Sequence, residues 1–136
     1  MRAFVIALTL FAQAGAPPAT TFRARLSPVP VETSTASRIT GSGSVTATLD
    51  GNKLTIAGTF QGMKSPATLA QVHMGARGVR GPVEFDLTLD KSPSGNINGV
   101  ITLTKVQIDT LRRGWYYIQI HAEQARDGNL WGWLLP

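Results

Sequence analysis

The run Val83-Glu84-Phe85-Asp86-Leu87-Thr88-Leu89 alternates apolar and polar residues without a break. Side chains of a strand point to opposite faces in turn, so this run has one dry side and one wet side. Wound as a helix, it would scatter its apolar residues around the axis. Shorter versions of the pattern recur at Phe22–Leu26, Gly43–Leu49, Leu54–Phe60, Ala70–Met74, Ile97–Leu103, Trp115–Ala122 and Asn129–Leu135. Turn signals separate them. Asp50-Gly51-Asn52 is a hairpin turn, Asp90 to Gly95 a polar turn, and Gln124-Ala125-Arg126-Asp127-Gly128 joins the last two strands. Ser27 to Ser37, with Pro28 and Pro30, reads as an extended loop. Helical spacing occurs once, at Thr104 to Arg113. Thr104 is placed to cap it, Val106, Ile108 and Leu111 fall roughly on one face, and Gly114 ends it. Some eight short strands at roughly 8–12-residue spacing argue for an antiparallel sandwich or barrel with Greek-key connections.

A chain of 136 residues that is 43% hydrophobic is enough for one packed domain. The first segment reads as a targeting signal. Arg2 is a positive lead, Ala3–Ala12 an apolar run, and Ala14-Gly15-Ala16 a small-residue cleavage site before Pro17-Pro18. The apolar run falls short of the roughly 20 residues that span a bilayer, so no permanent anchor is expected. The division predicted is therefore 1–16 signal peptide, 17–21 flexible lead and 22–136 folded domain, exported to the periplasm or outside the cell. There is no cysteine, so stability rests on core burial, or on a metal or partner. The formal charge of +5 falls by one when Arg2 leaves. The basic residues are dispersed through the sequence and form no run of five. With export, that argues against nucleic acid as a partner and leaves a mild preference for anionic surfaces.

Parity assigns the faces. Val83, Phe85, Leu87 and Leu89 point in, and Glu84, Asp86 and Thr88 out. Ala70, Val72 and Met74 point in, leaving Gln71 and His73 outside. Tyr116, Ile118, Ile120 and Ala122 point in, and Trp115, Tyr117, Gln119 and His121 out. Leu130, Gly132 and Leu134 point in, and Asn129, Trp131 and Trp133 out. Both histidines and several aromatic residues thus share outward faces. Clustered outward aromatics suggest a binding surface made of Trp115, Tyr117, Trp131 and Trp133 with Gln71 and Gln119. A covering loop or helix is the alternative.

Three stretches make the chain similar to the chordin-type (CHRD) domain. These are Leu26–Ala36, rich in proline and threonine; the glycine hairpin of Ala70–Leu87; and the closing pair Leu111–Leu134, with Gly114, Tyr117, His121, Gly128 and Gly132. The resemblance covers nearly all of residues 22–135. It implies an immunoglobulin-like or superoxide-dismutase-like sandwich and no established enzymatic activity. The expectation is therefore an all-β, antiparallel Greek-key β-sandwich with one short helix. The chain departs from the family in two places. Gln71 stands where the family often has the first histidine of a His-x-His pair, and Trp131 and Trp133 replace polar residues of the last strand.

Nucleophilic catalysis finds no cysteine, no G-x-S-x-G elbow and no serine near either histidine in sequence. Gly75 to Gly81 sits between strands without a Gly-Lys-Ser/Thr ending, so it is no phosphate loop. Gly75, Gly78, Gly81 and Pro82 are read as a structural corner whose glycines supply positive φ. A copper or zinc site from His73, His121 and Asp86 is the sharper alternative. The plainer one is a polar cluster of the two histidines with Gln71 and Gln119. It is preferred because a zinc site takes three or four protein ligands and two strong ones are visible. The functional expectation is a non-enzymatic binding or structural module of the cell envelope with a protein or carbohydrate partner.

Overall fold

A computed structural model describes residues 19–136, so the predicted signal and the first two residues of the lead lie outside the described residues. The elements are β1 (Thr20–Pro28), β2 (Ser42–Asp50), β3 (Lys53–Gln61), β4 (Ala67–Met74), β5 (Val83–Leu89), β6 (Gly95–Thr102), α1 (Lys105–Arg112), β7 (Tyr116–Ala122) and β8 (Ala125–Trp133). β1 begins at Thr20, inside the stretch expected to be flexible. Among the described residues, no helix is long and apolar enough to cross a membrane.

All strand neighbours are antiparallel, and the order β1-β2-β3-β6-β5-β4-β7-β8 closes on itself as a barrel. The expected sandwich is thereby corrected. Two strands change partners along their length and weld what would otherwise be two sheets. β1 pairs with β2 from Thr20 to Leu26 and then with β8 at Ser27 and Pro28. β5 pairs with β4 up to Leu87 and then with β6 at Thr88 and Leu89. Alternation runs unbroken through both switches, so the sequence pattern is the same for either architecture.

Alternation also fills the barrel. Phe22, Leu26, Ile56, Phe60, Ile118 and Leu130 are among the fully buried side chains inside. Each contributes about 1.5–3 kcal/mol through loss of apolar surface from water. Gly51, at φ 62°, makes the two-residue β2–β3 turn, for which Asn52 keeps a negative φ. α1 starts with a capping box: Gln107 N–H donates to Thr104 Oγ1 at 3.2 Å, and Thr104 N–H donates to Gln107 Oε1 at 2.8 Å. Leu111 is its buried anchor and Ile108 packs partly beside it. Val106, expected on that face, is 74% exposed.

Two irregularities matter for the outer face of β4, β7 and β8. Between β4 and β5 the register slips, so that Val72 faces Phe85 but His73 faces Val83. The residue gained on β5 turns Val83 outward beside His73, and it is 48% exposed instead of in the core. Between β7 and β8, Ile120 faces Leu130 and Ala122 faces Ala125, so Arg126 to Asn129 bulge out opposite His121. The segment expected to be a turn belongs to β8, and the turn itself is at Glu123-Gln124.

Candidate functional site

The outer face of β4, β7 and β8 carries His73, Tyr117, Gln119, His121, Trp131 and Trp133, as parity predicts. The loop from Gly75 to Pro82 folds back over it. Met74 N–H donates to Pro82 O at 3.0 Å, closing the loop at its base. Trp133 Nε1–H donates to Gly75 O at 2.9 Å, and Gly81 N–H donates to the Tyr117 hydroxyl at 2.9 Å. His73 Nδ1 lies 2.9 Å from Gly81 O. Its glycines serve mainly close approach. A Cβ on Gly81 would lie 1.6 Å from Met74 O, and one on Gly75 2.4 Å from Val79 O. Gly78 alone of the three has positive φ, at 81°. The expectation that all three supply positive φ is corrected accordingly. Asn129 is covered from the other side, by the β1–β2 connection, with its Nδ2 donating to Thr40 O at 2.9 Å.

Three backbone carbonyls fix the polarity of the cluster. A carbonyl only accepts, so His73 carries its hydrogen on Nδ1, toward Gly81 O. His121 does the same toward Arg126 O, at 2.6 Å. The Nε2 lone pair of His121 then accepts from Gln119 Nε2, at 3.1 Å, and the same amide donates to Asp127 O at 3.2 Å. Both partners of the Gln119 amide nitrogen are acceptors, which sets which way the amide points. His73 Nε2 and Gln119 Oε1 are left buried without a protein partner. Burial pushes the His73 imidazole below its ordinary value of 6.5. The Gly81 carbonyl opposes that shift, and the nearby His121 and Arg80 reinforce it.

The aromatic residues form one group. Tyr117 lies 4.6 Å from Trp133 and 5.8 Å from Trp131 between ring centres, and Trp131 meets Trp133 edge-on at 4.7 Å. His73 stacks on Tyr117 at 5.0 Å. Trp115 stands apart from them, 43% exposed, with the Arg113 guanidinium 5.9 Å from its ring. It does not belong to the surface for which it was predicted.

Arginines complete the face. Arg80 lies 5.7 Å over the Trp131 ring and donates from NH1 to Asp127 O at 2.9 Å. On one side of this pair a groove of about 380 Å³ is lined by Arg25, Arg77, Trp131 and Trp133, among others. On the other a pocket of about 560 Å³ is lined by His73, Tyr117, Gln119, His121, Arg80 and Arg126, with Asp127 at its edge. These arginines come from β1, the glycine loop and the β8 bulge. Sequence reading saw dispersed charges, and the exposed parity of Arg25 was the one available signal.

The predicted metal set does not assemble. His73 and His121 come within 6.3 Å, ring centre to ring centre. Asp86 instead accepts from Gln71 Nε2 at 3.0 Å. Among the described residues, no group of three or more His, Cys, Asp or Glu is placed to hold a metal. Of the four imidazole nitrogens, three are engaged and only His73 Nε2 is free. Gln119 joins the histidine cluster as expected, and Gln71 faces Asp86.

Comparison with known proteins gives one match: a family model described as the CHRD domain covers residues 22–134. No curated protein and no solved structure matches the chain.

Proposed function

The chain belongs to the CHRD domain family, and on that premise we propose that it is an exported, non-enzymatic binding module of the cell envelope. Its ligand meets the loop-covered face of β4, β7 and β8. One observation carries this reading: Tyr117, Trp131 and Trp133 are gathered beside Arg25, Arg77, Arg80 and Arg126 around two adjoining depressions. Aromatic and arginine side chains are the groups enriched at binding hot spots, because they combine large contact area with directed polar groups. The closed hydrogen bonds of the glycine loop hold these groups in place before a ligand arrives, which lowers the ordering cost of binding.

The test is surface plasmon resonance of the immobilised protein against separate polysaccharide and protein extracts of the envelope. Saturable binding to one extract is expected. The double variant Arg25→Ala/Arg77→Ala should weaken it about tenfold, the scale of one lost charge-assisted hydrogen bond. Lys105→Ala/Arg112→Ala, on α1, should leave it unchanged. Absence of binding, or equal binding by the groove variant, overturns the proposal.

A further inference from the structure

We infer that the end of the barrel carrying α1 and the glycine loop docks on the surface of an anionic lipid bilayer. Its exposed basic residues meet the lipid headgroups, and Val106 and Trp115 enter the interface between them. Apart from the loop arginines, this surface shares no residue with the binding face of β4, β7 and β8, and it adds a second partner.

Topology gathers this end. β2 and β3 turn there at Asp50–Lys53, and Lys53 faces Thr102, the last residue of β6. Leu103 N–H donates to Asn52 O at 2.7 Å as β6 hands over to α1. β4 ends at Met74, opposite Tyr116, and Gly75 N–H donates to Trp115 O at 2.8 Å. The glycine loop and the end of α1 therefore meet at Trp115. α1 buries Leu111 and leaves Lys105, Val106, Asp109, Arg112 and Arg113 exposed. At 3.6 residues per turn those five share one stripe, opposite Leu111 and facing away from the barrel.

Charge is divided unequally between the two ends. Lys53, Arg77, Arg80, Lys105, Arg112 and Arg113 stand exposed at this one, against Asp50, Glu84 and Asp109. At the other end Pro66 O accepts from Glu123 N–H and Ser92 O from Ala67 N–H, each at 3.0 Å. There Arg38, Lys64 and Lys91 are balanced by Glu32, Asp90 and Glu123. The positive excess thus belongs to the α1 end, although its residues are scattered in sequence. The exposed apolar residues follow it. Of the seven large ones among the described residues, Val79, Val83, Val106 and Trp115 lie at this end. The Arg113 guanidinium, 5.9 Å from the Trp115 ring, joins cation and indole in one unit. Surface cations draw a protein to an anionic leaflet, and an indole ring, apolar with a polar edge, settles at headgroup depth. A folded acidic protein would need a matched shape, whereas a bilayer accepts protruding apolar tips among cations in any arrangement.

The exported form, residues 17–136, is floated with vesicles of phosphatidylcholine alone and of phosphatidylcholine mixed with phosphatidylglycerol. Flotation is expected with the mixed vesicles only. Salt at about 1 M, where the Debye length falls to about 3 Å, should release the protein. Lys105→Ala/Arg112→Ala, at two exposed positions of α1, should weaken binding about thirtyfold with circular dichroism unchanged, two surface cations being worth that much. Brominated phosphatidylglycerol should quench tryptophan emission, and Trp115→Phe should remove most of the quenching while Trp131 and Trp133 still emit. Equal flotation with both kinds of vesicle, flotation with neither, or a double variant that binds like the parent overturns the inference. So does quenching that survives in Trp115→Phe, because the protein then docks through its tryptophan-bearing flank. Displacement by soluble glycerophosphoglycerol would make the site a headgroup pocket, and equal binding of polyglutamate, lost in the same double variant, would give this end to an acidic protein. Either result also overturns docking on a bilayer. Retention of envelope extracts through Arg25 and Arg77 is read separately, and its loss takes down the flank without touching the vesicle result.

Discussion

At the scale of single residues, His73 is held on several sides. It is 8% exposed, stacked on Tyr117 and tied by Nδ1 to the glycine loop. Its folded pKa lies below the 6.5 of the unfolded chain, because burial disfavours the charged ring. Between those two values the unfolded chain binds a proton that the native chain does not. Stability is therefore full above pH 6.5 and falls as the pH drops through that window toward the folded value. Melting curves from pH 7.5 to 5.5 should show this fall. His73→Asn keeps a donor near Nδ1 but cannot be protonated, and its melting temperature should fall less over the same range. An equal fall in both proteins would show that the ring is not held neutral. The position and outward parity of this histidine, and of His121, were legible in the sequence because strand alternation alone determines them. It did not reveal that Gln71 turns to Asp86, since a side chain on β4 has neighbours on two strands and alternation does not choose between them.

At the scale of elements, the β4–β5 loop decides whether the outer face is a flat sheet or a shaped site. Its glycines are unequal. Gly78 has positive φ with open space around it, so Gly78→Ala should cost about 1–2 kcal/mol, the strain of a left-handed backbone. Gly81 leaves no room beside Met74 O, so Gly81→Ala must displace backbone and should cost about 3 kcal/mol or more. Urea unfolding of the two variants measures the contrast, and similar losses would mean that the loop does not sit tightly on β4. The glycine spacing was legible as a corner, but its fold over Tyr117 and Trp133 was not. That depends on hydrogen bonds between groups some 36 and 58 residues apart in sequence. The arginines escaped notice for the same reason. Arg25, the loop pair Arg77 and Arg80, and Arg126 lie in three separate parts of the chain and become neighbours of one aromatic group only when β1 meets β8 and the loop folds back.

At the scale of the whole molecule, alternation made the all-β class plain, while closure depended on where β1 and β5 change partners. Those seams are thin. β5 and β6 share two register pairs, and β2 and β3 share nine. Amide hydrogen exchange should therefore be fastest, among strand residues, along the β5–β6 seam and slowest along β2–β3. Uniform protection around the barrel would contradict two weak joins. The other seam has a consequence in time. β1 is the first strand among the described residues, yet its second partner is β8, and Arg23 is bridged as far along as Leu135. A chain delivered N-terminus first, from a ribosome or through a membrane pore, cannot close this barrel while it is still arriving. The ring is completed only once β8 is free to meet β1, so the face of β4, β7 and β8 is finished late.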